Sequence, residues 1–277
     1  MIFHRSNFFL SLFLAIFLGL SFFAWADDEI SAVPDPPLAA PAVKTGVIKI
    51  ESKRQVFLYI PTRYKATRPY PLIISLPGEK DPEKHVNEWA SLAEQWSYII
   101  LSPALDIRSG DTPYQQDKWI LQLKEDLAEH YNIAQNKVFL VGNGRDAHYA
   151  AYLSTNYSQE FAGVALIRGG WAGHYSSLMR IQEKAENQLP ILIAVDQADT
   201  DLVQKIENDA AELQKVGYLV EIEKINQETL VLKDFYRKSL DWLFEKSDAW
   251  QDHIKNQQKN WKEKTWETLK HNIVIES

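Results

Sequence analysis

The stretch KVFLVGNGRDAHYAAYLS, Lys137 to Ser154, decides the fold. Lys137 to Gly142 is an apolar run suited to a buried strand. Gly142 and Gly144 then bracket a tight turn, and a helix with small residues begins near Arg145. A strand that turns sharply into a helix is one half of a βαβ unit.

The rest of the chain repeats this alternation. GVIKIE and RQVFLYIP are strand-like, and the intervening SK predicts a hairpin turn. YPLIISLP, YIILSP, AGVALIRG and LPILIAVD are short apolar runs, as expected of strands buried on both faces. PEKHVNEWASLAEQWS has helical spacing, with Val86, Trp89, Leu92, Ala93 and Trp96 on one face. His85 and His130 fall on amphipathic helices, where solvent exposure is the simplest expectation. DKWILQLKEDLAEHYN, DLVQKIENDAAELQKVG and DFYRKSLDWLFEK are further helices, and Gly217 suits a C-cap. YLVEIEKI adds a strand. Strands alternating with helices in this way predict an α/β fold: a mostly parallel central sheet with helices on both faces and an antiparallel hairpin at the start.

The chain has 277 residues, 45% hydrophobic and 24% charged, which suits one large domain with a sizeable core. Its formal net charge of -7 argues against nucleic-acid binding, which needs a basic stripe. There is no cysteine, so disulfides, thiolate metal sites, a cysteine nucleophile and a lipoprotein anchor are excluded. No metal motif such as H-E-x-x-H occurs, and no cofactor is expected.

MIFHRSNFFLSLFLAIFLGLSFFAWADDEI has a basic start at Arg5, a long apolar run from Phe8 and a small-x-small site at Ala24-Trp25-Ala26. It reads as a secretory signal peptide, residues 1–26, cut before Asp27. The apolar run is also nearly long enough for an uncleaved anchor. Either way the expected location is periplasmic or secreted. Asp27 to Thr45 is rich in Pro and Ala and reads as an extended linker. Ser247 to Ser277 holds Trp250, Trp261 and Trp266 among many Lys and Glu, and reads as an extra helix. That helix either docks its Trp face on the domain or serves a protein or membrane-surface partner. The final NIVIES has the composition of an edge strand.

This order of elements resembles the α/β-hydrolase fold. More narrowly, it looks like the secreted polyhydroxybutyrate depolymerases and feruloyl-esterase-like carboxylesterases. The pieces that carry the resemblance are FLYIPTRYKATRPYPLIISLPG, WASLAEQWSYIILSPA, LAEHYNIAQNKVFLVGNG, EFAGVALIRGG and SLDWLFEK. They span Phe57 to Lys246, within an expected domain of residues 46–246. The resemblance implies an ester-like ligand in a cleft at the carboxyl ends of the strands.

The family's catalytic motifs are broken. Its nucleophile elbow, G-x-S-x-G, is here Gly142-Asn143-Gly144-Arg145-Asp146. The serine position is Gly144, which has no side chain to attack with. The acid position falls on Asp199, which equally suits an N-cap for the helix that follows. The histidine is expected between YLVEIEKI and DFYRKSLDWL, yet NQETLVLK contains none. Without an imidazole a serine has no general base. The oxyanion loop, L-H-G-x-x in the family, is Leu76-Pro77-Gly78-Glu79-Lys80.

The resemblance with these gaps implies an inactive esterase homologue with a binding or scaffolding role. Two substitutes for the lost triad remain open. A register shift makes Asp146 an aspartate nucleophile, as in dehalogenase-like relatives. GGWAGHYSS offers His174 and Ser176 near the sheet's carboxyl edge. His148, on the helix after the elbow, reads as a surface or packed residue. A further expectation is binding without chemistry: Gly78, Gly144, Arg145 and the positive end of the elbow helix are suited to a carboxylate or phosphate.

Overall fold

Eight strands pair in the order β1-β2-β4-β3-β5-β6-β7-β8 in this computed structural model. They are β1 (Gly46–Ile50), β2 (Val56–Ile60), β3 (Tyr70–Leu76), β4 (Ile99–Pro103), β5 (Ile133–Asn143), β6 (Gly163–Ile167), β7 (Ile191–Asp196) and β8 (Val220–Ile225). The structure describes residues 44–275 apart from 53, 106–112, 172, 179, 182–187 and 227–230. They belong to one of two units of the chain, Val43–Ser277. The expected signal peptide and all of the linker but its last two residues lie outside the described residues.

β2 is antiparallel to β1, as the hairpin signal predicts, and also to β4. Every other pairing is parallel. Parallel neighbours need crossovers, and among the described residues four carry a helix: α1 (Pro82–Trp96), α2 (Pro113–His130), α3 (Arg145–Asn156) and α4 (Thr200–Lys215), while α5 (Leu232–Ile275) follows the last strand. Residues alternate between two cores along each central strand. Leu72, Ile74, Val138, Leu140 and Leu166 face α2, α3 and α4. Ile73, Phe139, Val141 and Ala165 face α1 and α5. Burying a large aliphatic side chain in either core contributes about 1.5–3 kcal/mol.

α1 begins where Asp81 accepts hydrogen bonds from the Glu83 and Lys84 amides at 3.1 and 3.0 Å, with Pro82 at the first position. Val86, Trp89, Leu92 and Ala93 are buried as the spacing predicts. Trp96, expected on the same face, is instead 43% exposed; it is the last helical residue before Ser97 turns the chain toward β4. His85 also departs from expectation. It is fully buried, because it sits one turn before Trp89 and meets Ser75 of β3.

α5 is one helix of 44 residues, with no break at Ser247. Trp250 Nε1 donates to the Gln188 carbonyl at 2.9 Å and Gln251 Nε2 to that of Asn136 at 3.1 Å, so the first turn of the tail docks on the domain. Asn272–Ile275 continue the helix rather than adding a strand. No described helix is long and apolar enough to cross a membrane.

Candidate functional site

The elbow between β5 and α3 is fully formed. Gly144 has φ 57° and ψ −125°, a conformation that a side chain makes costly. Its N–H donates to the Ile167 carbonyl at 2.8 Å, and its carbonyl accepts the Ala147 N–H at 3.0 Å. These bonds tie the turn to β6 on one side and to α3 on the other. α3 packs unusually close to β5: a Cβ at Gly142 would lie 2.6 Å from the Ala147 Cα. A Cβ at Gly144 would meet nothing within 4 Å. The geometry therefore leaves room for the side chain of a nucleophile, and the sequence supplies none.

Asp146 turns back from the first turn of α3 toward the β3–α1 loop. Its Oδ2 accepts the Gly78 N–H at 2.8 Å, while Oδ1 is buried without a partner. The residue is only 1% exposed. Burial pushes its carboxyl up to about 6, opposed by the Gly78 amide and by Arg145, and Glu79 adds to the rise. The carboxylate is thus enclosed and bonded to the backbone.

Asp199 and His148 are engaged by other partners. Asp199 accepts the Leu202 N–H at 3.1 Å and caps α4. It forms no ion pair with Arg145 among the described residues. His148 Nδ1 lies 2.6 Å from the Gly170 carbonyl and ties α3 to the loop after β6. His174 and Ser176 fall in a short 3-10 segment, Gly173–Leu178, and their side chains lie outside the described residues. Part of the window expected to hold the histidine, residues 227–230, lies outside them too. Among the described residues no three acidic or histidine side chains converge as a metal site.

A cleft of about 460 Å³ lies over the elbow, where Gly144 and Arg145 meet Glu79, Lys80, Asn143 and Arg168. Two features were not singled out in the sequence, and the first is Arg168 in this cleft. Arg168 follows β6 at the carboxyl edge of the sheet, and its position there was the available signal. Its φ of 58° is rare for a bulky residue. The Arg168 N–H bonds the Ala194 carbonyl at 2.7 Å, and Nε and Nη2 donate to Asn143 Oδ1 at 3.2 and 2.7 Å. Asn143 is 2% exposed, and its Nδ2 donates to the Tyr236 hydroxyl at 3.3 Å. A guanidinium only donates, so Asn143 must turn its oxygen to Arg168.

The second is a buried polar pair. Ser75 Oγ lies 2.7 Å from His85 Nε2, which also accepts the Trp89 indole N–H at 3.3 Å. An indole only donates, so His85 is neutral and carries its proton on Nδ1. Burial drives its pKa down to about 3, with Lys80 adding to the fall. Both Ser75 and His85 are sealed from solvent, so this serine-histidine contact cannot meet a substrate.

No family model matches the sequence, and no curated protein matches it. Solved structures do. A thermostable esterase superposes with a TM-score of 0.55 at 18% identity over 72% of this chain. The fold is that of the α/β-hydrolases. This chain spans 62% of that esterase's length. S-formylglutathione hydrolase from Staphylococcus aureus gives a TM-score of 0.53 at 12% identity, over 71% of this chain and 97% of that one. A Rhizomucor miehei esterase gives 0.55 at 12%, over 75% and 87%. In active α/β-hydrolases the corresponding strand-to-helix turn carries the nucleophile, and the loop after the third strand supplies an oxyanion-hole amide.

Proposed function

We propose that this chain is an exported, catalytically inactive esterase homologue that binds a ligand in the cleft over its elbow. One observation carries this reading. The elbow has its full backbone geometry, yet Gly144 stands at the nucleophile position. Asp146 agrees with it, because its carboxylate occupies an amide of the loop that in this fold faces a substrate oxyanion. Export rests on the pattern of residues 1–26, and a protein or membrane-surface partner for the tail rests on its Trp-bearing, charge-rich helix sequence.

The test is hydrolysis of a panel of short-chain p-nitrophenyl esters by the purified protein. The control carries Asp146→Ala and His174→Ala together. Equal rates, with no labelling by a fluorophosphonate probe, are expected. Turnover well above the control overturns the inactive reading and points to a constellation among Asp146, Asp199, His174 and Ser176.

A further inference from the structure

We propose that the cleft over the elbow binds a small polar oxyanion, a phosphoryl or carboxylate head, held between Arg145 and Arg168. This rests on the cleft being a binding site and names the class of ligand it takes. Three cations reach the cleft from three separate elements: Lys80 from the β3–α1 loop, Arg145 from α3 and Arg168 from the end of β6. Lys80 is neutralised by Glu88 at 2.6 Å. Neither arginine forms an ion pair among the described residues, and both face a cleft in which Glu79 is the one acidic wall. In a chain of net charge -7 this local excess of guanidinium is not the background.

Arg168 is also built into place. The buried Asn143 side chain takes Nε and Nη2, leaving its remaining N–H groups for a ligand. Behind Asn143 stands Tyr236, stacked on Trp89 with ring centroids 4.3 Å apart. A guanidinium held in one orientation loses little freedom on binding and presents its fork to two oxygens at once. The space at Gly144 lets such a head approach the start of α3, where the Arg145 and Asp146 amides precede any intrahelical acceptor. Pro77 is the one bulky apolar wall among the described lining residues, so the ligand is small and polar rather than an aryl or long acyl ester.

Asp146 modulates this site. It is buried beside Arg145 on the first turn of α3, and the groups that interact with it are the Gly78 amide and Glu79 from the loop, Arg145 on its own helix and Tyr175 from the 3-10 segment. Its negative charge opposes an incoming anion, so protonation of Asp146 strengthens binding.

The experiment is calorimetric titration of the purified protein with sulfate and with acetate at neutral pH. Arg145→Glu and Arg168→Ala are run alongside, with ester turnover assayed on the same samples. Binding of sulfate or acetate, weakened on the order of tenfold or more by each substitution, is expected. Sulfate alone assigns a tetrahedral head, and acetate as well assigns the carboxylate class. Sulfate, whose charge is constant, is also expected to bind more tightly at about pH 5 than at about pH 7.5. Arg145 is exposed, so its variant stays informative even where the Arg168 variant misfolds. No binding of either anion, or unchanged affinity in Arg145→Glu, overturns the oxyanion site. Those results without turnover leave the inactive reading standing, whereas turnover sinks that reading and not this one.

Discussion

Asp146 Oδ2 and the Gly78 N–H lie 2.8 Å apart and join the start of α3 to the β3–α1 loop across 68 residues of sequence. The bond satisfies one oxygen of a carboxylate that is otherwise buried, and leaves the other bare. That imbalance makes the ionised form costly inside the fold.

Asp146→Asn is expected to stabilise the protein at neutral pH. The folded carboxyl titrates at about 6, above its ordinary value of about 3.9. An acid whose pKa rises on folding holds its proton more tightly in the folded state. Its contribution is therefore most favourable below the unfolded value and declines as pH rises from about 4 to about 6. The shift corresponds to roughly 3 kcal/mol. Asparagine keeps an acceptor for the Gly78 amide and removes the charge. Urea unfolding across this range measures the difference; equal stabilities at neutral pH contradict it.

His85 works in the opposite direction. Its folded pKa of about 3 lies below the ordinary value of about 6.5, so stability falls as pH drops from about 6.5 toward 3. His85→Gln is expected to lose this acid sensitivity. It also costs about 1–3 kcal/mol at neutral pH by disturbing the bonds to Ser75 and Trp89. The same unfolding curves check both effects, and an unchanged acid limb in the variant refutes the assignment.

Gly144→Ser is expected to fold with a loss of about 1–3 kcal/mol, because φ 57° and ψ −125° are strained for a residue with a side chain. The new Cβ meets no neighbour, so steric clash adds nothing. No ester turnover is expected, since no histidine occurs between Asn226 and Lys233 to serve as base. Turnover appearing in this single variant reveals a base elsewhere.

Asp117 of α2 accepts the hydroxyls of Tyr149 and Tyr152 of α3 at 2.8 and 2.7 Å, and all three side chains are buried or nearly so. Asp117→Ala is expected to cost about 2–4 kcal/mol by stranding both hydroxyls. Tyr149→Phe alone is expected to cost less. A double-mutant cycle measures the coupling, and strict additivity argues that the two helices are not braced here.

The architecture is legible in the sequence because apolar runs and amphipathic helices alternate without ambiguity from Gly46 onward. The start of α3 at Arg145 and the turn at Gly217, with φ +103°, follow directly from local chemistry. What the sequence does not disclose depends on partners distant along the chain. Asp146 meets Gly78, and Arg168 is aimed by Asn143 and, through it, by Tyr236. Nothing local to any of these residues announces the contact. His85 has the sequence surroundings of a polar residue on an exposed face because its partner, Ser75, lies on a strand rather than on its own helix. NIVIES has β-forming composition, but helical context overrides so weak a preference.

α5 contains neither proline nor glycine between Leu232 and Ile275, the residues that most often kink a helix. At 1.5 Å per residue it is about 66 Å long. Tyr236 roots it beneath Asn143, and Trp250 fastens it a few turns later. The tail is therefore a mast and not a tether: its bearing is set by the same packing that orients Arg168.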